Sequence, residues 1–193
     1  MAPWSQAELL AALDAAEGEV RAYFGSLSTA DFITRPGDAW SPAEHLRHLN
    51  RAVFAVARAF SIPRLLLRVR FGRARAPSRT CLELRDHYRA LLAAGGRASG
   101  GFVPAREDVA VEAVEPYRGR ILAHWARANQ SLRAGLDRWS ETDLERIRLP
   151  HPILGLLTAR EMVFFTVYHA HHHVEAARRR LPERHAASLD AHS

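Results

Sequence analysis

The chain has 193 residues, 48% of them hydrophobic, which is enough to bury a core without disulfides or a structural metal. Its net charge is +6 and it contains no lysine, so the arginines carry the positive charge; they are scattered, with small clusters at Arg64 to Arg79 and Arg178 to Arg180, and form no basic stripe interleaved with aromatics, so no nucleic-acid partner is expected. The single cysteine, Cys81, excludes an intramolecular disulfide, Met1 to Ser5 do not open a signal peptide, and no apolar run is long enough to span a membrane, so a reduced cytoplasm is the expected location.

Three Ser/Thr-x-x-Glu patterns mark helix starts, at Ser5 to Glu8, Ser41 to Glu44 and Thr158 to Glu161. In each, the hydroxyl can accept the amide three residues on, and the glutamate can reach back to the cap amide. The first helix is expected over 5–24, with Leu9, Leu13, Ala16, Val20 and Phe24 at helical spacing. A loop carrying Asp31, Pro36 and Gly37 follows. The second helix starts at Ser41, with Pro42 where its missing donor costs nothing. It ends near Ile62, because Pro63 disfavours the helical state before it. Its stripe is Leu46, Leu49, Val53, Val56 and Phe60.

Residues 64–115 are less regular. A helix is expected over 80–94, with Leu82, Leu84, Tyr88, Leu91 and Leu92, followed by a glycine-rich loop over 95–101. Residues 108–114 read as ambiguous, with an extended conformation as one option. A further helix runs from Pro116 to about Trp139, with Ile121, Leu122, Trp125, Leu132 and Leu136 on one face. The turn-rich segment Leu149-Pro150-His151-Pro152 leads to Gly155. The last helix covers Thr158 to about Leu181 and is halted by Pro182. Four amphipathic helices of about 20 residues indicate an all-α fold, a four-helix bundle with 64–115 inserted between its second and third helices. One domain is expected over 1–185, with a tail at 186–193.

The 11 histidines are unevenly spread. His45 and His48 lie early in the second helix, and His169, His171, His172 and His173 in the middle of the last. At about 100° per residue, Met162, Phe165, Thr166, His172, His173 and Ala176 fall within about 60° of His169. His171 points away, toward solvent. His169 and His173 are one turn apart on the same face, where two imidazoles can chelate one ion; His172 is the rival partner. Three histidines on an apolar face are costly to bury without a shared partner, which favours a metal over isolated hydrogen-bonded side chains. In the second helix, periodicity alone prefers His45 over His48, which sits at the flank of the stripe.

Other candidates are fewer. Asn129, on the inner face of its helix near Trp125, could contact a substrate or support a metal ligand, although a satisfied core amide is the simpler reading. His151 is the best placed of the remaining histidines to reach a pocket, with His87 and His124 read as surface groups. Nothing around Cys81 activates it. Glu44 and Glu161 are read as helix caps. Ala170 after His169 excludes the zincin pattern, which needs glutamate there.

The segment from Trp40 through Ser41, His45, Leu46 and His48 to Leu49 resembles a signature of the DinB/YfiT-like superfamily, in which a Trp-Ser/Thr pair opens the second helix and a His-Leu or His-Ile pair follows one turn later. His151-Pro152, Gly155, Leu157-Thr158 and the run from His169 to His173 are similar to that family's loop, helix start and histidine cluster. The ordered set spans most of the chain. The resemblance implies a four-helix bundle with a divalent metal on three histidines, and the ligand positions fall on His48, His169 and His173. It leaves His45 behind the ligands or at the surface, and puts His172 where histidine is common but not the usual ligand. Two departures stand out: the long insertion could reshape the pocket mouth, and Ala170 stands where the family often has an acidic residue.

Characterised relatives of that family include thiol-dependent S-transferases and a thiol-dependent isomerase. The resemblance therefore implies metal-dependent conjugation of a low-molecular-weight thiol to a small electrophile. The alternatives are a metal-dependent hydrolase and a non-catalytic metal-binding protein of the stress or DNA-damage response. Zinc, nickel, iron and manganese all accept imidazole, so the sequence does not choose among them. A small-molecule substrate would lie between the helices, against apolar walls such as Phe165 and Trp125. A homodimer is expected, since bundles of this family often pair.

Overall fold

The long helices begin where the sequence supplies their caps. In the computed structural model, which describes residues 4–181, Ser5, Ser41 and Thr158 each accept the amide three residues on, and Glu8, Glu44 and Glu161 return the bond to the cap amide. These boxes open α1 (Gln6–Ser26), α3 (Pro42–Ser61) and α8 (Ala159–Arg178). A fourth box, Thr80 with Glu83, opens α5 (Cys81–Ala93). The remaining long helix, α6 (Val114–Leu136), has no side-chain cap and grows out of a 3₁₀ turn at Val111–Ala113. Short helices α2 (Thr29–Ile33), α4 (Arg64–Phe71) and α7 (Glu141–Arg146) complete the helical set.

The fold is mostly helical, with one small sheet. Helix α3 packs against α6 and α8, and α1 packs against the same two. Leu9, Leu13, Phe24, Leu46, Leu49, Trp125, Leu132 and Phe164 are fully buried where these faces meet, in line with the apolar stripes read from the sequence. Helices α3 and α6 come close at Gly135, where a Cβ would stand 3.1 Å from that of Phe60.

Several elements were not expected. Helices α2, α4 and α7 are too short to carry a readable apolar period. Strands β1 (Arg148–His151) and β2 (Gly155–Thr158) form an antiparallel hairpin, pairing Arg148 with Thr158 and His151 with Gly155. The segment is therefore a paired hairpin that delivers His151 and the Thr158 cap, and not a bare turn. Residues 108–110 form no strand, and α6 starts two residues before Pro116 and stops short of Trp139. Within 64–115, α5 packs on α8, α4 on β1, and a 3₁₀ turn at Gly100–Phe102 on α3. Met1 to Pro3, Pro182 and the tail expected at 186–193 lie outside the described residues. No helix among the described residues is long and apolar enough to cross a membrane.

Candidate metal centre

His48 stands in the second turn of α3, and His169 and His173 on successive turns of α8. The packing of α3 on α8 brings the three together, each buried. His48 Nε2 lies 3.1 Å from His169 Nε2, and His173 Nε2 lies 3.0 Å from His169 Nε2. The three ligand atoms all lie within 4.8 Å of one another, close enough for one ion to be shared among them.

In His48 and His173 the outer nitrogens fix which way the ring presents its lone pair. His48 Nδ1 donates to the Phe102 carbonyl at 2.7 Å, so its Nε2 carries no proton and faces the centre. His173 Nδ1 lies 2.7 Å from His45 Nδ1. With the His173 Nε2 lone pair turned to the centre, its Nδ1–H donates to His45, whose own proton then sits on Nε2. That His45 atom is buried and has no partner among the described residues. His169 Nε2 faces both neighbours, and a single hydrogen there serves two lone pairs poorly. A cation would satisfy all three nitrogens at once, so the donor set fits a divalent metal.

The electrostatics agree. Burial pushes His169 and His173 well below the usual imidazole range, and the neighbouring histidines push further the same way. Burial also lowers His48, against an upward pull from its bond to the Phe102 carbonyl. Burial, then the Arg180 charge, hold His45 at about 3. The rings are thus held neutral, the ligating form. Trp40, just before the Ser41 cap, covers the cluster: its ring is stacked on His173 at 6.0 Å and lies 5.0 Å from that of His48.

The other sequence candidates fall as follows. His45 is buried against His173 and is not a surface group. His172 is half-buried, its ring edge-on to His173 and Tyr88, and its nitrogens are outside the convergent set. His171 turns away from the cluster as expected, but toward α1, where its Nδ1 bonds Glu19, so it is only partly in solvent. Asn129 takes the simpler of its two readings, a core amide: it is 2% exposed, donates from Nδ2 to the Trp125 carbonyl, and does not line the cavity beside the histidines. Trp125 is also core, its indole donating to the Glu17 carbonyl, whereas Phe165 does form a wall. His87 and His124 are exposed. The Cys81 thiol is pushed up by burial, away from the reactive thiolate form. Glu44 and Glu161 cap their helices and pair with Arg35 and Arg79.

A cavity of about 280 Å³ opens beside His48 and His169, walled by Tyr88, Phe102, His151 and Phe165. On the opposite side, His45, His172 and His173 border an open cleft with Trp40, Arg179 and Arg180. Sequence reasoning did not find Tyr88 as a wall, Trp40 as a cover or Phe102 as a partner of His48. The Trp-Ser pair at 40–41 was a signal for the second; the third is a backbone oxygen and leaves none.

No curated protein and no solved structure matches the chain. The profile of the DinB superfamily matches residues 12–177, a span that takes in the hairpin, Trp40 and all three convergent histidines. Membership and the buried triad are together compatible with metal binding. The chain belongs to the DinB superfamily.

Proposed function

We propose that this protein is a metal-dependent transferase that conjugates a low-molecular-weight thiol to a small electrophile, built on a DinB-type four-helix bundle of α1, α3, α6 and α8. The observation that carries this reading is the convergence of three neutral imidazoles, from His48, His169 and His173, at the edge of an apolar cavity. Three protein ligands leave coordination positions open, as catalytic sites do. A divalent metal there supplies a Lewis acid that brings a thiol or water into its deprotonated form near neutral pH. The chain's own residues do the rest: the Phe102 carbonyl and His45 orient the ligating rings, and Tyr88, Phe102 and Phe165 keep water from the cavity. Metal-loaded protein should accelerate reaction of common cellular thiols with a chromogenic electrophile, and His173→Ala should not. Equal rates in both proteins, with no thiol-induced change in the metal's spectrum, would refute catalysis and leave the non-catalytic metal-binding reading in a stress or DNA-damage response. Turnover by water alone would make the protein a hydrolase.

The site belongs, on this reading, to one domain over 1–185 that works in the cytoplasm as a homodimer. Support for pairing comes from Phe54, Ile62, Leu65, Leu66 and Val69, apolar side chains left exposed along α3 and α4. Sedimentation equilibrium giving only monomer at micromolar concentration would refute the dimer.

A further inference from the structure

We propose that the cavity beside the histidine cluster binds a neutral, largely apolar small molecule carrying one hydrogen-bond acceptor, and that the Nε2–H of His151 receives that acceptor. The proposal deepens the transferase reading by naming the class of its electrophile, and it rests on that reading for the cavity's role.

The first argument is the lining. The chain has 27 arginines and 21 acidic residues, yet among the described residues no arginine, aspartate or glutamate lines this cavity. Its walls are side chains such as Val56, Ala59, Ile153, Met162 and Phe165. With the histidine site empty, a carboxylate or phosphate placed there would lose water and find no opposite charge on the lining side chains, a cost that ordinary contacts do not offset. At about 280 Å³ the space lies at the low end for ligand pockets and suits one or two fused rings.

The second argument is which polar groups remain unused. The Thr166 hydroxyl donates to the Met162 carbonyl at 2.8 Å. His48 is taken by Phe102 and the cluster, and His169 Nε2 faces the cluster. The Tyr88 and Ser99 hydroxyls also line the cavity without a partner among the described residues, but each rotates freely about its C–O bond, whereas the His151 ring is fixed. Its Nδ1 accepts the backbone amides of Ile153 and Leu154, at 3.2 and 3.0 Å, inside the turn of the hairpin. Those two bonds require a lone pair on Nδ1, so the ring hydrogen is on Nε2. That Nε2–H has no partner among the described residues, and the side chain lines the cavity. The ring packs edge-on against Phe165 at 4.3 Å, and Phe165 stacks on His169 at 5.0 Å. The donor is therefore one aromatic ring away from the cluster, on a backbone turn that holds it in place. Burial lowers the imidazole to about 4, so it stays a neutral donor through the physiological range and offers no charge to an anion. A ketone, ester or epoxide oxygen on an apolar body meets these conditions.

Three probes of one shape separate the claims: naphthalene, methyl 2-naphthoate and 2-naphthoate. Binding is measured by calorimetry on the full chain after chelation. The ester should bind about three- to tenfold tighter than naphthalene, the increment of one hydrogen bond, and at least about tenfold tighter than the carboxylate. In His151→Asn, the amide oxygen can take over the two backbone N–H groups while the Nε2–H is gone. The ester should then lose its advantage over naphthalene, with both still bound. Because the variant could disturb the hairpin, ¹⁵N spectra of the wild-type imidazoles give an independent reading: one Nε2 should shift with the ester and not with naphthalene. Equal binding of carboxylate and ester would overturn the neutral-ligand claim. An ester advantage that survives in folded His151→Asn, or disappears instead in Tyr88→Phe, would overturn the assignment to His151, and no binding of any probe would overturn both claims. Since binding is read without metal, these failures leave the three-histidine site untouched, and loss of metal in His173→Ala leaves the cavity untouched.

Discussion

Replacing His45 by phenylalanine separates metal affinity from fold stability. In the wild type, His45 Nδ1 pairs with His173 Nδ1 at 2.7 Å while its own Nε2 is buried without a partner. Phenylalanine removes both nitrogens. It leaves the His173 Nδ1–H without an acceptor, a cost of about 1–3 kcal/mol for a buried group. It also removes the His45 orphan, whose cost is of the same order. The two changes offset, so unfolding free energy of metal-free protein should move by less than about 1 kcal/mol. Metal affinity has no such offset. Loss of the partner that fixes a ligating histidine's tautomer costs about 10- to 100-fold. The affinity comes from competition with a chromogenic chelator at neutral pH, and the stability from denaturant titration of chelated protein. His48→Ala serves as the contrast and should lose stoichiometric binding altogether. Wild-type affinity in His45→Phe would refute the tautomer argument. Loss of metal in His45→Phe with retention in His48→Ala would make His45 the ligand and overturn the assignment of the cluster.

His169→Ala and His173→Ala should each abolish stoichiometric metal binding with far-UV helicity largely retained, while His171→Ala, bonded to Glu19 and outside the cluster, should leave it intact; elemental analysis of purified protein checks this. Acid should weaken the metal-free protein from about pH 6.5 downward, because burial holds His45 at about 3 and His151 at about 4 and lowers His48, His169 and His173, so the unfolded chain binds more protons in that window. Each titrating histidine contributes a slope of up to about 1.4 kcal/mol per pH unit, and denaturant midpoints that stay level between about pH 7.5 and 5.5 would contradict it. Gly135→Ala should lower the thermal midpoint at a cost of about 1–3 kcal/mol, since its Cβ would press on Phe60. Arg51→Ala should weaken metal binding a few-fold and alter probe binding in the cavity together, because Arg51 donates to the Gly101 and Val103 carbonyls on either side of Phe102; a change in only one of the two would break the link.

What the sequence could carry was local. A capping box involves four consecutive residues, so Ser5, Ser41 and Thr158 announced α1, α3 and α8, and the Thr80 box was legible by the same rule although only its helix was read. The hairpin was hidden because Pro150 and Pro152 read as turn residues, while the pairing of Leu149 with Leu157 depends on chain that closes around them. The choice between His45 and His48 could not be made on a wheel, which measures angle around one axis only. Both rings are buried. Their difference lies in which side of the α8 histidines each one meets: His48 turns Nε2 to the Nε2 of His169, and His45 meets the outer Nδ1 of His173. Asn129 shows why the core reading was the simpler one. It lies on an inward face, but an inward face at the level of Trp125 is core and not pocket.

The segment over 64–115, irregular as sequence, turns out to be bound to the chemistry of the site. The Phe102 carbonyl orients His48 across 54 residues of chain, a separation at which nothing local holds the two together. What holds them is α3 itself. Arg51, one turn beyond His48, grips the carbonyls of Gly101 and Val103, and Arg47 reaches that of Ala105. The helix that carries the histidine thus also carries the arginines that press the loop onto it. The same segment provides Tyr88, Ala98, Ser99 and Phe102 to the cavity. The orientation of His48 and the shape of the cavity therefore depend on one stretch of chain. A bundle with a shorter connection between these helices would keep the three imidazoles but would have to find another acceptor for His48 and another wall for the cavity. On the proposed transferase reading, residues 64–115 are where substrate preference would vary while His48, His169 and His173 stay fixed, as expected when a binding site is built from loops positioned by a rigid scaffold.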